Sequence, residues 1–164
     1  MNQDLSNRTI AITRPTGQSE KLSAAIKNAG GTPFLFPLIS ISGLDNYDTF
    51  DAKVANLEDY HWAIFISSNA VQNSLPRLQA KIKSLPKTLK FAAIGPTTAA
   101  ELKTFGIADV LIPKNRFDSE SLLSLPEMQN MAHQKVMIFR GVGGREILAE
   151  TLKARGAVVD FAES

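Results

Sequence analysis

Residues 136–159 hold one complete strand, turn, helix and strand, and they restrict the fold more than any other part of the chain. Residues 136–139 (Val-Met-Ile-Phe) form a short apolar run, suited to a strand buried on both faces. Gly141, Gly143 and Gly144 then let the backbone turn tightly and approach a neighbour closely. Ile147, Leu148, Thr151 and Leu152 recur at helical spacing. Gly156 is placed to take the left-handed conformation that ends a helix, and a second strand begins at Ala157. Arg140 and Arg145 flank the turn. Unpaired N–H groups at a helix start would thus lie beside two positive charges, which predicts an anion site.

The same design recurs upstream. Residues 9–13 read as a β-branched strand, followed by the elbow Arg14-Pro-Thr-Gly17. Leu22, Ala25, Ile26 and Ala29 mark the apolar side of a helix that Gly30 closes, and residues 34–36 make the second strand of a βαβ unit. Residues 37–43 are extended; Pro37 argues against a central strand, so they read as a linker. Phe50, Val54 and Leu57 suit a short helix. Residues 62–66 are a buried strand, and Ser67, Ser68 and Asn69 are all good N-cap residues. Pro76 and Pro86 are expected to limit the helical stretches around Leu78 and Ile82. Residues 90–94 form a strand leading to Gly95-Pro-Thr-Thr98, where Pro96 suits a first helical turn, and the helix runs to Gly106. Residues 110–112 form a short strand, and Asp118 or Ser119 caps a helix through Leu125.

This alternation predicts an α/β protein: a doubly wound, mostly parallel sheet of flavodoxin-like form, with an incomplete second α/β domain. Ligands of such sheets bind outside the carboxyl ends of the strands. That edge holds Arg14, Ser67, Ser68, Asn69, Gly95, Thr97, Thr98, Arg140, Gly141, Gly143 and Arg145. Every elbow offers hydroxyls, amides or guanidinium groups and none offers a carboxylate, so the edge is expected to prefer an anion. Each group also has an ordinary role: Ser67 and its neighbours cap a helix, Pro96 opens one, and the arginines pair or pack.

Composition removes other classes. Without cysteine there is no disulfide, thiol nucleophile or thiolate metal site, and a reducing cytoplasm fits best. A formal charge of +2, with scattered lysines, argues against nucleic acid. No run reaches the roughly 18 apolar residues of a membrane helix, and the polar N-terminus is not a secretory signal. His61 and His133 are isolated, and Asp45, Asp48 and Asp51 lack the spacing of a calcium loop, so no metal is expected.

Four motifs in order resemble the uroporphyrinogen-III synthase family. They are Ile12-Thr-Arg-Pro15 with Gln18 and Gly30, Ile64-Phe-Ile-Ser-Ser-Asn-Ala70, Ala93-Ile-Gly-Pro-Thr-Thr-Ala99, and Arg140-Gly-Val-Gly-Gly-Arg-Glu146 with Leu152 and Arg155-Gly156. The resemblance implies a cytoplasmic enzyme of tetrapyrrole biosynthesis, without cofactor or metal. Such an enzyme cyclises hydroxymethylbilane with inversion of the last pyrrole ring, through a spirocyclic intermediate. Arg14, Arg140 and Arg145 would bind substrate carboxylates, and the serine, asparagine, threonine and glycine elbows would add hydroxyl or amide contacts. Thr98 matches a family threonine at the cleft and is the one candidate for assisting departure of the hydroxyl.

The family pattern also implies that residues 1–37 open one α/β domain and residues 38–164 form a second, inserted one. Family members are longer, about 250 residues, a size that suits two domains. The chain is therefore expected to lack a C-terminal part, to be inactive alone, and to self-associate through uncovered apolar faces, whereas a full-length member is a monomer. Two rivals remain. Gly141-Val-Gly143 with Asp160 has part of a dinucleotide-binding pattern, though Glu146 stands where a third glycine belongs. The other is a non-catalytic anion-binding α/β module.

Overall fold

The apolar runs become strands in the computed structural model, which describes residues 4–164. The strands fall into two compact units, Met1–Gly43 and Leu44–Ser164.

In the first unit β1 (Thr9–Ile12) and β2 (Thr32–Leu35) pair in parallel, with Thr9 opposite Thr32 and Ile12 opposite Leu35. α1 (Glu20–Asn28) joins them. β2 starts two residues before the expected run and takes in Pro33, which a strand with a free edge tolerates. Phe36 still donates its N–H to the Ile12 carbonyl at 2.9 Å. The expected apolar face is only partly covered. Ile12 and Ile26 are buried, but Leu22, Phe34 and Phe36 are exposed, because two strands and one helix supply too little cover within the unit.

The second unit is a five-stranded parallel sheet of β3 (Trp62–Phe65), β4 (Lys90–Ala93), β5 (Val110–Leu111), β6 (Lys135–Arg140) and β7 (Val158–Glu163). Their order is β5-β4-β3-β6-β7. The sheet is doubly wound, as expected. Counted within the unit, its order is the 3-2-1-4-5 of dinucleotide-fold sheets, whereas flavodoxin has 2-1-3-4-5, so the flavodoxin comparison is corrected in this detail.

Alternation along the strands builds two cores. Phe65, Ala93 and Phe139 face α2 (Asp48–Val54), α3 (Ser68–Lys81) and α4 (Pro96–Thr104), through Phe50, Leu75 and Leu102. Ile64, Ala92 and Ile138 face the other way, toward α5 (Ser119–Leu123) and α6 (Ile147–Ala154). Gly156 has φ +91°, and a Cβ there would lie 3.1 Å from the Ala132 Cα, so both backbone and space require glycine.

Pro76 does not limit a helix. It sits inside α3, which runs unbroken for 14 residues. Pro76 and Gln72 are both exposed, so the carbonyl left without an N–H partner can meet water, while buried Leu75 and Leu78 hold the helix to the sheet.

Asp51 ties α2 to α3. Its carboxylate accepts two hydrogen bonds from Arg77, at 2.6 and 2.7 Å, and pairs with Lys81 at 2.6 Å. The Arg77 bonds, then Lys81, lower its pKa to about 2. A lowered folded-state pKa means that the contribution is complete above the ordinary carboxylate range and is lost as pH falls toward 2. The parent chain should exceed Asp51→Asn in urea stability at pH 6, and the gap should narrow steadily as pH falls below the ordinary carboxylate range, closing only below the folded-state value of about 2. A gap that stayed constant with pH would contradict this.

Candidate functional site

The chain leaves β3 for β4 and β5 on one side and later enters β6 on the other. The switch point therefore lies between β3 and β6, where a crevice opens at the carboxyl ends. Because β4, β3 and β6 are consecutive neighbours, the elbows after them stand side by side. The structure thus brings Ser67, Ser68, Asn69, Gly95, Thr97, Thr98, Arg140, Gly141, Gly143 and Arg145 to one edge. Arg14 belongs to the first unit.

Local chemistry explains each elbow. Ser67 is extended, and its Oγ accepts the Ala70 N–H at 3.1 Å, so this hydroxyl caps α3. Ser68 and Asn69 form the first turn of α3, where N–H groups lack acceptors within the helix. Gly95 caps α4 with no side chain, Pro96 follows, and Thr97 and Thr98 supply first-turn amides. The Thr98 side chain is buried. Gly95 is glycine for space: a Cβ there would come within 2.9 Å of the Phe117 Cβ. In the turn after β6, Gly143 and Gly144 have φ of +76° and +109°, while Gly141 does not need glycine's freedom.

The two arginines at this turn are not free positive charges. Arg140 is buried, and its guanidinium donates to Glu146 at 2.7 Å and pairs with Glu163 at 3.0 Å. Its planar group also stacks on Phe161, 3.6 Å from the ring centre. Arg145 is ion-paired with Glu120, and it holds the Glu120 carboxyl below its ordinary pKa. Asp118 caps α5 and pairs with Arg116 at 2.9 Å; hydrogen bonds from Ser121 keep its pKa low. The expectation of an edge without carboxylates is therefore corrected. Glu146, Glu163, Glu120 and Asp118 all lie there; Glu146 and Glu163 neutralise Arg140, and Glu120 neutralises Arg145.

Beside Arg140 and Arg145 is a largely apolar cavity of about 280 Å³, whose walls include Ile66, Ile94, Phe117, Ile138, Leu148 and Phe161. Sequence reasoning missed Phe117, Phe161 and the carboxylates. Only Glu146, six residues from Arg140, offered a local signal. Glu163 meets Arg140 because parallel pairing sets the two opposite each other.

The dinucleotide pattern loses its chemistry here. Glu146 holds Arg140, and Asp160 accepts the Tyr60 hydroxyl at 2.8 Å. His61 accepts the Lys135 N–H on Nδ1 at 3.0 Å, and His133 is a left-handed turn residue with φ +62°. Among the described residues no three of His, Cys, Asp or Glu gather to hold a metal ion. No helix among them is long and apolar enough to cross a membrane.

The family model of uroporphyrinogen-III synthase matches residues 20–163. The chain belongs to the uroporphyrinogen-III synthase family. It is 39% identical to the uroporphyrinogen-III synthase of Salmonella typhimurium over 155 residues, which cover 94% of this chain and 63% of that protein. The Escherichia coli enzyme is 36% identical with the same coverage, and that of Proteus mirabilis is 35% identical over 94% of this chain and 78% of its own. The chain thus spans less than two thirds of the length of the Salmonella and E. coli relatives. The fold is similar to a crystal structure of Thermus thermophilus uroporphyrinogen III synthase. The TM-score is 0.70 at 18% identity, covering 95% of this chain and 61% of that one.

Proposed function

We propose that this chain supplies the larger part of a uroporphyrinogen-III synthase, which closes hydroxymethylbilane to uroporphyrinogen III and inverts the last pyrrole ring. The observation that carries the reading is the family match over residues 20–163. The three adjoining elbows at the carboxyl edge of the second unit support it. In this reading residues 1–37 open one domain and residues 38–164 form the other. The enzyme works in the cytoplasm without a cofactor.

The substrate is a polycarboxylate, and the first-turn amides of Ser68, Asn69, Thr97 and Thr98 suit its side chains. Arg145 would exchange Glu120 for a substrate carboxylate, since that pair is exposed enough to open. Arg140 is engaged on two sides and would act by holding the turn that carries Gly141 and Gly143. Arg14 would add a contact from the first unit, and Ser67 would act through its cap. Loss of the terminal hydroxyl yields an electrophilic azafulvene. Attack by a substituted carbon of the last ring forms the spirocycle, which fragments and recloses inverted. Control of geometry is the main demand, because closure in solution gives the uninverted isomer. Thr98 is the candidate for assisting the leaving hydroxyl.

The test is conversion of freshly generated hydroxymethylbilane, with the III and I isomers separated after oxidation. A version extended to the length of the relatives should yield the III isomer; this chain alone should yield only the I isomer of spontaneous closure. An extended version that also gave only the I isomer would sink the proposal. The exposed Phe34 and Phe36 suit self-association of this chain, whereas the extended protein should sediment as a monomer.

A further inference from the structure

The cavity on the α5 and α6 side of the carboxyl edge plays no part in the contacts assigned above. Its volume is about 280 Å³. Sites for drug-sized ligands run at about 300–1,000 Å³, so this one suits a single substituted ring and excludes a whole tetrapyrrole. Its walls are largely apolar: Ile138 of β6, Leu148 of α6, and Ile66 and Ile94 just beyond β3 and β4. The two arginines that line it are already paired with Glu146, Glu163 and Glu120, so little net charge remains to draw an ionised group inside. That balance favours the neutral body of a ligand over its acidic arms.

Two phenylalanines line the cavity, and they differ. Phe161 is fixed, with the Arg140 guanidinium 3.6 Å from its ring centre. Phe117 is 52% exposed and belongs to neither core. It is seated on the elbow after β4, where only glycine leaves room: a Cβ at Gly95 would come within 2.9 Å of the Phe117 Cβ and 3.1 Å of its Cγ. An exposed aromatic side chain held against backbone in this way offers a ring face for stacking. Asp118, next in the chain, is the acidic side chain of the wall. A carboxylate accepts about four hydrogen bonds, and Ser121 and Arg116 leave room for another.

We propose that this cavity seats one pyrrole ring of the substrate, with Phe117 against the ring face and Asp118 accepting the ring N–H. The identity of the ring rests on the synthase reading; the seat itself rests on the cavity. Phe117 is then a specificity-determining residue. Holding one ring while another turns is the geometric control that inversion demands. The Gly95 contact joins the seat to the start of α4, whose amides suit the substrate carboxylates, so ring and acidic arms are held by adjoining parts of the edge.

The experiment has two arms. In the first, the chain labelled with nitrogen-15 is titrated with 3,4-dimethylpyrrole, with its N-methyl derivative and with acetate. The pyrrole should shift the amide resonances of Ile66, Ile94 and Ala149 along a saturable curve. The N-methyl ring should bind more weakly, and acetate should leave those resonances in place. Phe117→Ala should weaken the pyrrole about three- to tenfold, the scale of one aromatic pair, and Phe117→Tyr should retain parent affinity. Because Phe117 lies outside both cores, the spectrum of each variant should otherwise match the parent. In the second arm, Phe117→Ala in the version extended to the length of the relatives should raise KM for hydroxymethylbilane by a similar factor and increase the share of the I isomer. Shifts with acetate, no saturation, or undiminished affinity in Phe117→Ala would overturn the seat. Equal binding of the N-methyl ring would overturn the role of Asp118. If the extended parent yields the III isomer and Phe117→Ala matches it in KM and isomer ratio, the assignment to substrate is overturned while the synthase reading stands. If the extended parent yields only the I isomer beside saturable, Phe117-dependent binding, the synthase reading falls and the ring site remains.

Discussion

Replacing Phe139 with alanine is expected to destabilise the second unit by about 3–5 kcal/mol, the range for deleting a fully buried aromatic ring. Phe139 is on β6, which is paired on one side with β3 and on the other with β7. Its ring is stacked on Phe65 with centroids 4.4 Å apart and planes within 3°, and Phe50 meets it edge-on at 6.3 Å. All three residues are 2% exposed or less. Strands on both sides keep the backbone from closing over the space, so the cavity would persist. Urea unfolding followed by fluorescence of Trp62, the one tryptophan, reports on the same sheet. Val158→Ala, at an exposed position of β7, should stay within about 0.5 kcal/mol of the parent. A comparable loss from both variants would contradict the described packing.

Arg140→Met should cost about 2–3 kcal/mol. Breaking a fully buried ion pair costs about 3–5 kcal/mol, but Glu146 and Glu163 remain partly exposed and can be resolvated, which reduces the penalty. The loss has two parts: two carboxylates are left facing each other, and the guanidinium no longer covers Phe161. Adding Glu163→Gln to Arg140→Met should restore part of the stability by removing one of the opposed charges. The reading would be wrong if Arg140→Met left stability unchanged, or if the second substitution made matters worse. Such a result would mean that Arg140 is held loosely and is free to serve as a carboxylate ligand.

The strand, elbow and helix order of the second unit was legible because its signals are local. A buried apolar run, a serine or aspartate at an N-cap and a glycine after the last turn each depend on residues a few positions away. Ser67 and Asp118 cap their helices as their residue types suggest. Pro76 misled for a related reason: the local cost of proline is real, but packing of Leu75 and Leu78 outweighs it. In the first unit the helix at residues 20–28 was readable, while its apolar residues could not reveal how little cover two strands would give them.

The candidate site divides along the same line. Sequence by itself determined the glycine turns, the amide-bearing helix starts and the presence of Arg140 and Arg145 at the end of one strand. Only the tertiary structure decided the charge of that edge. Parallel pairing of β6 with β7 sets Arg140 opposite Glu163, and α5 carries Glu120 to Arg145. Those carboxylates lie 23 and 25 residues from their partners. Electrostatic interaction depends on distance in space, so a charge that looks free along the chain is neutralised once the sheet is formed.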